Sequence, residues 1–257
     1  PIFVDFGLVV IRWYSLAYVV GIILGWWLGK KIISHIINNV NFKFNLSEFD
    51  DVITYLILSI IIGGRLGYVL FYNFEYYIQN PIDVIKVWKG GMSLHGALLG
   101  VIIGTHLFSI KKNIPTFFML DVIACVSPIG IFLGRIANFI NGELVGKITT
   151  VPWGVIFPTI DMTTRHPSQI YEALLEGPTL FLLLITFVMK KKYVMGKCSY
   201  LFLIFYGFFR IISEFFREPD VQLGYFFGFL SMGSILSFLI IIAGFTILIN
   251  LRKKNEI

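Results

Sequence analysis

The chain has 257 residues, 57% of them hydrophobic and 14% charged, with a formal net charge of +6 and a mean hydropathy of +0.82. A soluble domain runs nearer half apolar and a quarter charged, so this composition excludes a globular domain with one anchor and describes an integral membrane protein. The positive balance reads as retention of cytoplasmic loops and contact with anionic lipid, not as a nucleic-acid footprint. Two cysteines, Cys125 and Cys198, give neither a metal spacing nor a disulfide framework. They read as small packing residues.

Seven apolar stretches have the length of ~20 residues that a span needs: 12–34, 51–72, 92–110, 117–141, 169–189, 199–216 and 230–250. The predicted fold is an all-α integral membrane protein, a bundle of about seven transmembrane helices forming one polytopic domain over 1–257. Pro128 with Gly130, and Gly177 with Pro178, predict tolerable kinks in the fourth and fifth stretches. The first stretch is long and lacks a small-residue cleavage site, so no cleavable signal peptide is expected. The longest loop, at 142–168, is rich in turn formers.

Basic residues orient the bundle. Lys30, Lys31, Lys43, Lys111, Lys112, Lys190, Lys191, Lys192, Lys197, Arg252, Lys253 and Lys254 fall on one side, twelve of 21. Arg12, Lys86, Lys89, Lys147, Arg165 and Arg217 fall on the other, and Arg65, Arg135 and Arg210 lie inside spans. The richer side is cytoplasmic, which puts the C-terminus inside and the N-terminus outside.

Polar residues then fall at one depth near the outer surface. In chain order they are Arg12 and Tyr14, Arg65, His95, Arg135 and Asn138 with Glu143 just beyond, His166, and the four-spaced stripe Tyr206, Arg210, Glu214. Intramembrane ionisable groups are costly and are usually kept for function, and six spans sending them to one depth predict a cavity open to the outer leaflet. Plainer readings stand beside this one. Arg12 and Arg217 can snorkel, Glu214 can be a structural counter-ion of Arg210, His95 can be a helix-packing residue, and His166-Pro167 can be a helix start.

The densest polar run, Gly134-Arg135-Ile136-Ala137-Asn138-Phe139-Ile140-Asn141-Gly142-Glu143-Leu144-Val145-Gly146, resembles the signature of the bacterial prolipoprotein diacylglyceryl transferases. Further blocks resemble the family in order: Trp13-Tyr14, Gly63-Gly64-Arg65-Leu66-Gly67-Tyr68, Gly90-Gly91-Met92-Ser93-Leu94-His95-Gly96, Arg165-His166-Pro167-Ser168-Gln169-Ile170-Tyr171-Glu172 and Glu214-Phe215-Phe216-Arg217-Glu218-Pro219-Asp220. The resemblance covers nearly the whole chain. It implies a seven-span enzyme of the inner membrane, acting on the periplasmic side, with the N-terminus periplasmic. The implied reaction moves a diacylglyceryl group from phosphatidylglycerol to the lipobox cysteine thiol of a prolipoprotein, forming a thioether and releasing glycerol phosphate.

The family's important positions fall on Tyr14, Arg65, His95, Arg135, Asn138, Glu143, Gly146, His166, Tyr206, Arg210 and Glu214. Ala97 and Ala137 depart from family glycines but stay small, and the 147–165 loop is short for the family. The nucleophilic thiol comes from the substrate, with His95 the expected base, directly or through water. Arg135 and Arg210 offer planar forks for the phosphate; these roles can also be shared or exchanged. Asn138 and Glu143 are expected to position headgroup or peptide, Glu214 to orient Arg210, and Tyr14, Arg65, His166 and Tyr206 to line the substrate site. No cofactor, metal or nucleic acid is implied. A transporter of an anionic lipid or metabolite is the alternative, disfavoured by the lack of a two-half repeat and by polar groups gathered at one surface.

Overall fold

A computed structural model describes residues 2–5, 10–39, 43–190, 193–219, 224 and 230–255. Of the residues invoked above, Lys191, Lys192 and Asp220 lie outside the described residues, as do the side chains of Arg12, Trp13, Lys89, Leu94 and Lys254.

Each predicted stretch contains a helix. In chain order these are α1 (Trp13–Ile36), α2 (Glu48–Phe71), a short α3 (Phe74–Gln79), α4 (Leu94–Lys112) and α5 (Thr116–Asn141). The fifth stretch is broken into α6 (Ser168–Leu174) and α7 (Leu180–Val188) around a π-helical turn, Leu175–Thr179. Then come α8 (Lys197–Glu214) and α9 (Met232–Asn255). The kink expected at Gly177-Pro178 is this π turn: Gly177 leaves helical geometry, and Pro178 has no N–H to give. The Pro128 site, by contrast, stays within one continuous α5.

Five stretches are long and apolar enough to cross a membrane: Leu16–Ile36, Glu48–Phe71, Thr116–Asn141, Ser168–Val188 and Met232–Lys253. The protein is therefore a helical, multi-pass membrane protein. α4 and α8, at 19 and 18 residues, carry His95, His106, Lys111 and Lys112, and Lys197, Arg210 and Glu214 respectively. The fold is mostly but not wholly helical. β1 (Ile2–Asp5) pairs antiparallel with β2 (Val10–Arg12). In the 142–168 loop, β3 (Val155–Ile156) pairs with β4 (Thr164–Arg165). That loop, rich in turn formers, is tied further by bridges Gly146 to Arg217 and Ile148 to Arg165.

The chain forms two compact units. One spans Ile37–Leu120. Its core is the crossing of α2 and α4, where Gly63 and Gly67 face Gly96 and Gly100. A Cβ built on Gly67 would stand 2.7 Å from the Gly96 Cα, and one on Gly96 would stand 2.8 Å from the Gly67 Cα. Small residues at four-residue spacing are what lets two helix backbones approach without a hydrophobic drive between them. Ser93 caps α4, its hydroxyl accepting the Gly96 N–H at 3.2 Å. The Ser93 N–H donates to Gly64 O at 2.8 Å.

The other unit comprises Pro1–Ile36 and Asp121–Ile257. Here Asp121, wholly buried on α5, caps α8 across the bundle. It accepts the N–H groups of Gly196 and Ser199 at 2.7 Å each, the Ser199 hydroxyl at 2.6 Å and the Tyr193 hydroxyl at 2.8 Å. An anion at a helix N-terminus satisfies orphan donors and the helix dipole together. Burial, with the Asp121 charge beside it, pushes the Tyr193 hydroxyl well above the usual phenol range.

Candidate active site

In the unit comprising Pro1–Ile36 and Asp121–Ile257, helical periodicity puts Arg135 and Asn138 on one buried face of α5. Arg135 does not stand alone. Its Nη1 lies 2.8 Å from Glu172 Oε2, while its Nε and Nη2 donate to Glu176 Oε2 at 3.2 and 3.0 Å. Arg210 Nη1 donates to Glu172 Oε1 at 2.5 Å, and its Nη2 donates to Glu214 Oε1. Arg217 Nη1 reaches Glu172 Oε1 at 3.3 Å. Glu214 also accepts the Ser231 hydroxyl at 2.8 Å, beneath Gly233, where a Cβ would meet the Glu214 carboxyl carbon at 2.9 Å.

Glu172 and Glu176 are 0% exposed and the three arginines 7–8%. Isolated charges cannot be held at such burial, so the cluster exists because three cations meet three anions. Tyr206, one turn before Arg210 on α8, lies buried against the same groups.

A second group adjoins Arg135. Asn138 Nδ2 donates to the Tyr14 hydroxyl and, at 3.4 Å, to Glu143 Oε2. Asn141 Nδ2 donates to Glu143 Oε1 at 3.3 Å. Glu143 is turned back toward α5 by two left-handed residues on either side of it, Gly142 at φ 68° and Leu144 at φ 56°. Gly142 takes that geometry freely, and Leu144 takes it at a cost its surroundings must offset. Gln169 Nε2 donates to the Glu143 carbonyl at 2.7 Å, and Ser168 Oγ donates to the Leu144 carbonyl at 3.2 Å.

His166 lies in a third group, its Nδ1 3.2 Å from the Tyr171 hydroxyl and its ring against Phe216. The Tyr171 hydroxyl also accepts the Trp153 indole N–H at 2.7 Å. Gly146 joins these strands: its N–H donates to the His166 carbonyl at 3.2 Å. A Cβ there would stand 2.7 Å from the His166 Cβ and 2.8 Å from the Phe216 carbonyl oxygen. Arg165 fastens the same loop, with Nη2 and Nε on Asp161 Oδ2 at 2.6 and 3.2 Å and Nη1 on the Gly146 carbonyl at 3.0 Å. The Arg165 guanidinium and the Thr163 N–H and hydroxyl hold the Asp161 carboxyl well below the usual carboxylate range.

Arg65 and His95 belong to the Ile37–Leu120 unit. The Arg65 guanidinium is caged by carbonyl oxygens. Nε donates to Val84 O at 2.8 Å, Nη1 to Gly90 O and, at 3.1 Å, to Gly91 O, and Nη2 to Asp83 O at 2.5 Å and Lys86 O at 3.3 Å. It also lies 5.0 Å from the Tyr77 ring centre. His95 sits half-buried in the first turn of α4.

The structure thus brings together Tyr14, Arg135, Asn138, Glu143, Tyr206, Arg210 and Glu214, with His166 in a neighbouring aromatic group of the same unit. Two central residues carried no assigned role in the sequence reading, Glu172 and Glu176. Their signal was present: two carboxylates four residues apart inside the apolar stretch 169–189.

The architecture and this buried network define a multi-pass membrane protein built around an arginine–carboxylate cluster. A profile described as prolipoprotein diacylglyceryl transferase matches residues 1–250, and the chain belongs to that family. Similar proteins named phosphatidylglycerol–prolipoprotein diacylglyceryl transferase occur in several Rickettsia species. That of Rickettsia bellii is 49% identical over 257 residues, covering 99% of this chain and 96% of its own. That of Rickettsia felis is 52% identical over 248 residues, covering 95% and 93%. That of Rickettsia rickettsii is 50% identical over 247 residues, again covering 95% and 93%.

Proposed function

We propose that this protein transfers the diacylglyceryl group of phosphatidylglycerol to the lipobox cysteine of a prolipoprotein signal peptide, the first step of bacterial lipoprotein maturation. The observation that carries the reading is the buried cluster around Arg135 and Arg210, in a chain whose relatives bear that activity in their names. The thiol loses its proton, with His95 the proposed acceptor. The sulfur then attacks the glyceryl carbon bonded to the phosphate. A C–S bond forms, the C–O bond breaks, and its electron pair stays on the phosphate oxygen of departing glycerol phosphate.

A second negative charge develops on that phosphate, so preorganised donors aimed at it lower the barrier. Arg135 and Arg210 are the proposed donors. Asn138, Tyr14 and Glu143 position headgroup or peptide, His166 and Tyr206 line the site, and Glu214 aims Arg210 through its ion pair and Ser231. The five donor contacts of Arg65 all go to backbone carbonyls, so its proposed share in substrate binding is to fix the chain at 83–91.

We further propose one polytopic domain in the bacterial inner membrane, with α4 and α8 completing seven crossings, the N-terminus and active site facing the periplasm, and the C-terminus in the cytoplasm. The count of basic residues supports that orientation. Purified protein given phosphatidylglycerol and a lipobox peptide should form a thioether-linked diacylglyceryl peptide and release glycerol phosphate. Absence of that product sinks the reading. Cysteine probes at 95 and 143 should react from the periplasmic side, and labelling only from the cytoplasm would invert the topology.

A further inference from the structure

The two buried acids of the cluster are not equivalent. Glu172 meets three guanidinium groups, from Arg135, Arg210 and Arg217, at 2.8, 2.5 and 3.3 Å. Glu176 is held through one oxygen. Arg135 donates twice to its Oε2, whereas its Oε1 accepts no hydrogen bond from the described residues and has Arg210 Nη1 3.9 Å away. Glu172 Oε2 also accepts no aligned hydrogen bond from them, but it has Arg135 Nη1 at 2.8 Å. An orphaned carboxylate oxygen with 0% exposure is costly.

Among the described residues of the cluster the charges also balance: Arg135, Arg210 and Arg217 against Glu172, Glu176 and Glu214. A lipid phosphodiester entering this cluster adds one negative charge to a charge-balanced, buried network. Such a site takes an extra anion cheaply only if one of its own anions is neutralised. The groups facing Glu176 are Arg135 from α5, Arg210 and Tyr206 from α8, and Glu172 from its own helix. Tyr206 is neutral and the arginines stay charged. Glu172 is fastened by three cations, which leaves Glu176 as the group that can yield. It also sits in the π turn Leu175–Thr179, beside the non-helical Gly177, and such turns recur at functional sites.

We propose that Glu176 is a positioning residue that aims Arg135 in the empty site and takes up a proton when the phosphate of an anionic lipid enters, so that the cluster stays neutral. The idea rests on the transferase reading for the identity of the lipid. In chemical terms the phosphate replaces the Glu176 carboxylate as the charged acceptor of the Arg135 Nε and Nη2 hydrogens. The Glu176 carboxyl, now carrying one proton from water, remains beside it as a neutral group.

Calorimetry of the full-length protein in nanodiscs tests this. Short-chain phosphatidylglycerol is titrated in buffers of different ionisation enthalpy, with zwitterionic phosphatidylethanolamine as the control. Phosphatidylglycerol should bind with uptake of about one proton, and its Kd should rise about tenfold per pH unit above the transition. Phosphatidylethanolamine should bind without uptake. Glu176→Gln keeps an acceptor for Arg135 but cannot titrate, so uptake should vanish and the pH dependence of Kd and KM should flatten. Glu176→Asp should keep proton uptake while lowering kcat, because the shorter side chain draws Arg135 away. A role confined to packing would leave the Gln variant with the wild-type pH profile.

Wild-type binding without proton uptake between about pH 6 and 8 overturns the proposal, even if no variant folds. Uptake that persists in Glu176→Gln overturns it too. Because binding is read without turnover, wild-type protein that takes up a proton but makes no thioether refutes the transferase reading and leaves this one standing.

Discussion

Two buried arginines of this chain, Arg65 and Arg135, are both compensated, but by different partners. Arg65 is held by five neutral carbonyl oxygens from the segment 83–91. Arg135 is held by two carboxylates from the α6 helix and the π turn that follows it. The first arrangement satisfies every donor contact and fixes a loop, and an arriving anion could enter only by undoing that loop. The second is a charge-for-charge exchange site, where one anion can replace another without rebuilding the backbone. The same side chain is therefore a staple in one unit and a candidate phosphate ligand in the other. The difference lies in what the surrounding chain offers it.

The sharpest way to break this contrast is to truncate both. Arg135→Ala should leave protein in the membrane and lower kcat by about 10²–10³-fold, the loss typical of one preorganised donor. Arg135→Lys should rescue poorly, since an ammonium cannot supply the fork. Wild-type turnover in the purified Ala variant would remove Arg135 from the phosphate site. Truncation also strands the buried Glu176 carboxylate, while Glu172 keeps Arg210 and Arg217, at a cost of about 3–5 kcal/mol in stability. Adding Glu176→Gln should recover part of that stability but none of the transfer, which a thermal-unfolding double-mutant cycle can read.

Arg65→Ala should act on the loop instead. Losing hydrogen bonds from a charged group costs about 1.5–3 kcal/mol apiece at first removal. Amide exchange should therefore rise across 83–91 while α2 and α4, locked at Gly63, Gly67, Gly96 and Gly100, stay protected. Exchange spread evenly through both helices would mean that Arg65 supports the helix pair and not the loop.

A smaller effect is expected at Asp161 and Arg165, a more accessible counterpart of the buried clusters, with Asp161 part-exposed and Arg165 buried. Because the folded state holds the Asp161 carboxyl below its ordinary range, its support of the 146–165 loop should be full above about pH 4. It should shrink as pH falls below that and vanish only once the folded-state carboxyl is itself protonated. Asp161→Asn should abolish this acid dependence of amide protection in the loop. An unchanged profile in that variant would assign the dependence to another group.

The least effect is expected at the cysteines. Cys125 and Cys198 are both buried, Cys198 Sγ donating to the Leu184 carbonyl at 3.9 Å, and the reacting thiol belongs to the substrate. The double Cys→Ser variant should keep transferase activity with a small packing cost. An inactive but folded double variant would move the nucleophile to the enzyme.

Much of this was legible in the residues. The helices follow from runs of hydrocarbon side chains long enough to cross a bilayer. The shared face of Arg135 and Asn138 follows from helical period, as does the stripe of Tyr206, Arg210 and Glu214. These are local properties, set by a few neighbouring residues.

What only the tertiary structure decided is which charge meets which. Nothing in the spacing of α5 says that Arg135 faces Glu172 and Glu176, some forty residues on. Nor does anything say that Glu172 serves three arginines within 3.3 Å while the Oε1 of Glu176 has its nearest guanidinium nitrogen among the described residues at 3.9 Å. The caging of Arg65 was equally hidden, because its acceptors are backbone carbonyls of an irregular segment and carry no side-chain signature. Gly146 stood in a recognisable motif, yet its reason is the approach of His166 and Phe216 from two other parts of the chain. Sequence fixes where charge enters the membrane, since that is a cost each segment bears alone. Its neutralisation is shared between segments, so only their packing determines it.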